Sequence, residues 1–297
     1  MSPKLKPSDA ETPVRKAPTK LRVVPKELTI VQPDYNLGHM RMAIYGGSGV
    51  GKTFLAIQAL NIPEMCPVLY CDCDCGTMTF ASREVDVVPI GNMPVEERMD
   101  ALLNVANYVR YHEGKYKTVI VDCLTSTYMD MIQVRVATGV GRGAKAPDHV
   151  PTMGDWMHAT FRMRVVIAKF KTAPINFIAT AIGDDYINDV TGEHKTRMSL
   201  SKKISEELPK DFDIVGHMTT KIRRREVIRF LQVEPFGGVT AKNRSEHKLP
   251  NIFEIFTDDE TMLHRIYRRA ILGESLEEVG IVETKRGVVQ LVKPASE

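Results

Sequence analysis

Apolar and polar positions follow two regimes along this chain. From about residue 40 to residue 181, short apolar runs alternate with stretches of helical spacing. Met40–Tyr45 reads as a strand, and Thr53–Leu60 as a helix after a glycine-rich loop. Pro67–Cys73 is a second apolar strand. Pro94–Tyr111 places Met99, Leu102, Leu103, Val105, Ala106 and Val109 at helical intervals. Thr118–Val121 predicts a third strand, Ser126–Val136 a helix, Asp155–Lys171 a long helix and Ile175–Ala181 a fourth strand. Strands alternating with helices predict an α/β fold, a mostly parallel sheet covered by helices on both faces.

Beyond residue 181 the pattern changes. Asp184–Ser201 is polar, with turn residues at Asp189 and Thr191–Gly192, and reads as a long loop. Arg225–Val233 alternates like a strand, and Gly237–Gly238 marks a turn before Val239–Lys242. These segments predict antiparallel additions on the C-terminal side. An amphipathic helix over Asp258–Ile271 and a hairpin-like tail close the chain. The expected organisation is a flexible tail over 1–26, a core domain over 27–256, and a C-terminal helix and tail over 257–297.

Gly46-Gly47-Ser48-Gly49-Val50-Gly51-Lys52-Thr53 matches G-x-x-x-x-G-K-[ST] in full, with a strand directly before it and a helix directly after. Glycines at these positions turn successive backbone N–H groups inward around an anionic phosphate, and the helix start adds its positive end. Lys52 is placed to reach the β- and γ-phosphates of ATP, and Thr53 to hold Mg²⁺ through its hydroxyl. Thr118-Val119-Ile120-Val121-Asp122 supplies the second requirement, an acid ending a neighbouring apolar strand and placed to bind Mg²⁺ through water. The next residue, Cys123, stands where many ring-forming ATPases carry a glutamate, and an ordinary thiol is no base at neutral pH. The base must come from elsewhere. After the second strand, Asp72 and Asp74 alternate with Cys71, Cys73 and Cys75, which puts both carboxylates on one side. Either orients an attacking water or caps the turn at Gly76.

Charge and cysteine content narrow the setting. The 297 residues carry 40 Lys and Arg against 37 Asp and Glu, a net charge of +3. Residues 1–26 hold seven of the basic residues and two of the acids, with five prolines, so the excess positive charge sits in that tail. The remainder is close to neutral, which excludes a protein that coats duplex DNA by bulk charge. No apolar run approaches the roughly 18 residues of a membrane span, and no apolar stretch follows the first lysines. A cytoplasmic location is expected. The five cysteines are odd in number and read as small strand residues of a reducing compartment. C-x-C-x-C lacks the two-residue turn usual between zinc ligands.

With the Gly46–Thr53 loop, Asp72-Cys73-Asp74, Val119–Asp122 and Ala241-Lys242-Asn243-Arg244, the chain resembles the RecA superfamily. Within it, the chain is most similar to small phage-borne RecA-like ATPases of single-strand annealing and recombination. The resemblance covers roughly residues 40–256. It implies a RecA-like P-loop core, ATP and Mg²⁺ as cofactors, and a filament or ring of identical subunits. Asp74 occupies the position of the superfamily's catalytic glutamate, one methylene shorter. Lys242-Asn243-Arg244 is similar to the Lys-x-Arg segment that reaches a neighbouring subunit's nucleotide in hexameric replicative helicases, or is a solvated strand end. The two DNA-contacting loops would fall at Gly139–Lys145, with Arg142 and Lys145, and at Asp184–Ser201, with Lys195, Arg197 and the single aromatic Tyr186. Arg223-Arg224-Arg225 would add to a basic groove or start a strand, and Thr180 would sense the γ-phosphate or fill the core. Single-stranded DNA and phage replication or recombination proteins are the implied partners, in the host cytoplasm for a phage-encoded chain.

The function expected is therefore an ATPase, stimulated by DNA, that binds single strands and promotes annealing or recombination. A DNA-translocating helicase or helicase-accessory ATPase shares the fold but needs a hexameric ring. A small-molecule kinase needs an arginine-rich lid, for which residues 184–201 are poorly suited. A nucleotide-gated assembly protein would use the same loop without DNA.

Overall fold

The strand-and-helix alternation is realised from the first apolar run onward in a computed structural model of the chain. It describes residues 38–139, 150–187, 191–223, 226–255, 260–283 and 289–291, all within one unit, Tyr35–Glu297. The basic tail of residues 1–26 lies outside the described residues. β1 (Arg41–Gly46) leads through the glycine loop into α1 (Lys52–Ile57), which tightens into a 3-10 turn over Gln58–Asn61. Then come β2 (Val68–Asp72), β3 (Asp86–Val88), α2 (Arg98–Tyr111), β4 (Thr118–Asp122), α3 (Leu124–Thr138), α4 (Met153–Thr172) and β5 (Asn176–Ile187). The C-terminal part adds β6 (His194–Met198), α5 (Lys202–Glu207), β7 (Ile214–Arg223), β8 (Glu226–Gln232), β9 (Lys242–Asn243) and β10 (Ile252–Ile255). It ends with α6 (Met262–Ala270), β11 (Ile281–Glu283) and β12 (Val289–Leu291).

The strands form one sheet in the order β11-β12-β10-β8-β7-β1-β5-β4-β2-β3, with β6 on β5 and β9 on β7. From β3 to β7 every pairing along this path is parallel, and β7–β8–β10 continue antiparallel. This is the mostly parallel α/β sheet with antiparallel additions that the pattern predicts. The central strands are buried almost throughout, and the face to which their side chains turn alternates with period 2. Tyr45, Cys71, Val121 and Phe177 join the core beneath α2, α3 and α4, whereas Ile44, Tyr70, Ile120 and Ile178 join the core beneath α1 and α6. Sheet parity therefore directs Asp72 and Asp122, in step with Tyr70 and Ile120, toward the α1 face. At the start of α4 a reciprocal cap closes the helix, Thr152 Oγ1 accepting from Asp155 N while Asp155 accepts from Thr152 N.

One expectation is revised, and two elements gain their place from the structure. Residues 184–201 are not a long loop: β5 continues to Ile187 and returns as β6, paired from Gly183 with Met198 to Ile187 with His194. The antiparallel ribbon satisfies its own backbone groups, so its side chains need no apolar pattern. β7 carries no periodic signal because its first half is buried on both faces and its second half, Thr219–Arg223, projects into solvent. The C-terminal helix α6 buries Met262, Leu263 and Ile266 beside α1, and Leu263 N donates to Gln58 Oε1 at 2.9 Å.

The backbone is closely packed where β1 ends. A Cβ on Gly183 would lie 2.9 Å from Gly46 Cα, against backbone that cannot rotate away. Gly183→Ala is expected to destabilise the fold by about 1–3 kcal/mol, as overpacking does. A urea midpoint equal to that of the wild type would contradict this.

Candidate nucleotide site

The glycine loop follows from the crowding at Gly46, whose backbone passes against Met218 O so closely that a Cβ would overlap it. Gly49 (φ 73°) and Gly51 (φ 102°) take left-handed conformations that cost glycine little. Lys52, the first residue of α1, curls back so that its Nζ donates to Gly47 O at 2.7 Å and Gly46 O at 3.1 Å. Its ammonium lies over the loop rather than along the helix. Burial lowers the pKa of Lys52, with partial compensation from the carboxylates of Asp122 and Asp74.

Sheet order brings three acids to this loop. Asp122, at the end of β4, is buried and held by three hydroxyls. Thr53 Oγ1 donates to its Oδ2 at 2.5 Å, Tyr70 Oη donates to the same oxygen at 2.7 Å, and Thr180 Oγ1 donates to Oδ1. Burial, and then the charge of Asp122, push the Tyr70 phenol well above its ordinary range, so it remains a donor. Thr180 is fully buried and serves as a donor to Asp122. Asp72 and Asp74 separate clearly. Asp72 is buried and accepts from Gly76 N at 2.9 Å, capping the turn after β2. Asp74 is exposed at the rim of the site, and its carboxyl is pushed up to about 6, first by desolvation and then by Asp122 and Asp72, against the pull of Lys52. The cysteines divide by environment: Cys71 and Cys73 pack in the core, whereas Cys75 is exposed and its thiol donates to Asn92 Oδ1 at 3.1 Å.

A hydroxyl and a carboxylate already in contact, Thr53 and Asp122, form a hard-oxygen donor pair of the kind Mg²⁺ takes, and the glycines leave the loop open for phosphate. The profile of the AAA domain family matches residues 39–245, which take in the loop, both strand-end acids and the sheet as far as β9. The chain belongs to the AAA domain family. It is thus a P-loop ATPase domain, with β1 flanked by β5 and β7 and the loop at its C-terminal end.

Solved structures similar to this AAA domain include the flagellar accessory protein FlaH of Methanocaldococcus jannaschii. The two are 11% identical over 74% of this chain and 88% of FlaH, with a TM-score of 0.38. Another is the assembled ATPase EscN of the enteropathogenic E. coli type III secretion system, 20% identical over 61% of this chain and 43% of EscN, with a TM-score of 0.41. No curated protein matches the sequence.

The remaining candidates of the AAA domain are distributed as follows. Arg142 and Lys145 lie outside the described residues, as do Arg224 and Arg225. Lys195 and Arg197 stand on β6, in the ribbon that leaves the sheet beside Gly46. Lys195 is half-exposed, 3.6 Å from Glu193. Arg197 stacks its guanidinium over the Tyr186 ring, 3.9 Å from the centroid, a diagonal cross-strand pair. One face of Tyr186 is therefore covered and closed to a base.

Lys242 does not project as a finger. Its Nζ donates to Pro209 O at 2.8 Å and Phe212 O at 2.5 Å, because a half-buried ammonium needs acceptors. β9 pairs with the first residues of β7, so Lys242 and the exposed Arg244 sit at the sheet end opposite the phosphate loop of their own chain. Sequence reasoning missed Tyr70 and Arg229. Tyr70 is legible only as an apolar strand residue, and Arg229 Nε donates to Val50 O across 179 positions at 3.0 Å.

Proposed function

We propose that this chain hydrolyses ATP with Asp74 as the base that orients water, and couples that hydrolysis to binding single-stranded DNA in annealing or recombination. The convergence of Lys52, Thr53, Asp122 and Asp74 on one loop carries the hydrolytic part. Lys52 and the loop amides would hold the phosphates, and Thr53 with water bound to Asp122 would hold Mg²⁺. Mg²⁺, when bound, neutralises charge on the β- and γ-phosphates. Tyr70 and Thr180 would keep the Asp122 carboxylate aimed at that position, and Asp74 would accept the proton of the attacking water.

Two antiparallel ribbons leaving the sheet at the end that carries the loop support the DNA part. One is β5–β6, with Lys195. The other is β7–β8, where Lys221 and Arg223 are exposed. The first ribbon begins at Gly183, packed on Gly46, so a change at the phosphates has a direct route to it. Assembly as a filament or ring is part of the same reading, and Arg244 would then be the arm that meets a neighbour's nucleotide.

The test is the ATPase rate with and without single-stranded DNA, together with the salt dependence of binding. Addition of DNA is expected to raise the rate. Arg142→Ala with Lys145→Ala is expected to lower the salt slope by roughly 0.7 for each phosphate no longer neutralised. An unchanged rate together with no measurable single-strand binding would overturn the DNA part and leave the ATPase standing.

A further inference from the structure

The nucleotide reading leaves one side of the site without a role. At the phosphate loop lies a cavity of about 410 Å³, whose lining includes Gly51, Lys52, Thr53, Phe54, Thr79 and Arg229. Arg229 comes from β8, opposite Thr220 of β7 and Ile255 of β10. Its Nε donates to Val50 O at 3.0 Å, which turns the guanidinium along the outer wall of the loop. A Cβ on Gly51 would stand 3.0 Å from that Nε, so the side chain occupies space that only glycine leaves.

The acids fix a direction for the ligand. Asp122 ends β4 and Asp74 follows β2, on one side of β1, while Arg229 lies on β8, on the other side and beyond β7. A triphosphate seated on the loop with its terminal group toward Thr53, Asp122 and Asp74 extends its other end toward Arg229. What arrives there is the nucleoside, whose base is planar and aromatic. A guanidinium is planar and weakly hydrated, and it stacks on such a face as an ammonium cannot. We infer that Arg229 holds the base of the bound nucleotide by stacking on it within the same chain, with Thr79 and Phe54 as the facing walls. This inference rests on the nucleotide reading above and adds to it which residue grips the base.

Calorimetric titration of the full chain with ATP and with inorganic tripolyphosphate separates the possibilities. Arg229→Ala is expected to raise the Kd for ATP about tenfold, in keeping with a desolvated cation–π interaction, and to leave the Kd for tripolyphosphate unchanged. Arg229→Lys keeps the charge and loses the plane, and is expected to recover little of the ATP affinity. An unchanged ATP Kd in Arg229→Ala overturns the inference, as does full recovery in Arg229→Lys. An equal weakening for both ligands also overturns it, since that marks a bond to phosphate. A wild-type chain that binds neither ligand would sink the nucleotide reading itself, whereas a wild-type chain that binds both with Arg229→Ala unaltered sinks only the stacking.

Discussion

Lys52→Ala is expected to lose ATP hydrolysis by about 10²–10³-fold or more while the fold persists. The ammonium lies over the loop on Gly46 O and Gly47 O, where a phosphate oxygen would meet it, and its hydrogen bonds there go to carbonyls rather than to a carboxylate. Removing it strips the charge that compensates the β/γ bridge in the transition state. Its burial is a cost to the protein, visible in the lowered pKa, so truncation is expected to change stability by about 0.5 kcal/mol or less. Phosphate release and urea unfolding on the same preparations check both halves. Turnover equal to the wild type would remove Lys52 from the site, and an unfolded variant would show that the loop depends on it structurally.

Asp74→Asn is the second large effect, a fall in turnover of about 10²–10⁴-fold with ATP binding retained, since an amide accepts no proton. The carboxyl at about 6 makes the pH profile diagnostic. The base works ionised, so the wild-type rate is expected to rise with pH through about 6 and level off above it. The residual rate of the variant is expected to lack that step. Stability moves the other way. A carboxyl whose pKa is higher in the folded than in the unfolded chain favours folding most when protonated, and that advantage is lost as pH rises from about 3.8 through about 6. Without nucleotide, Asp74→Asn is therefore expected to be more stable than the wild type above pH 6, with the difference vanishing in acid. An active Asp74→Asn beside an inactive Asp72→Asn would transfer the role to Asp72. The hydrogen bond of Asp72 to Gly76 N argues for a turn cap instead.

A base tuned by its surroundings and a stability cost at one residue are the usual signs of a site kept for chemistry. Asp74 has the raised carboxyl, whereas Asp72 is engaged by the Gly76 amide, a distinction that two aspartates at alternating positions cannot express in a sequence. Spacing places both on one side of a strand. Only the turn after β2, where Cys75 takes a φ of 62°, sends one to the backbone and the other to the loop.

The features legible in the order of residues alone are local ones. The phosphate loop, the strand before it and the helix after it are contiguous, and the glycines at 46, 49 and 51 answer to backbone conformation and close approach rather than to a distant side chain. Asp122 was legible for the same reason, as the polar end of an apolar run. Whatever depends on sheet order was not legible, because strand neighbours are set by packing between segments far apart in the chain. Tyr70 and Thr180 became donors to Asp122 only because β2 and β5 flank β4. Arg229 reached the loop because β8 follows β7 beside β1. The ribbon of β5 and β6 carries polar side chains that read as loop, since its order comes from backbone pairing and not from an apolar face. Lys242 shows the converse. Its motif is a local pattern, but the pairing of β9 with the start of β7 placed its ammonium on two carbonyls.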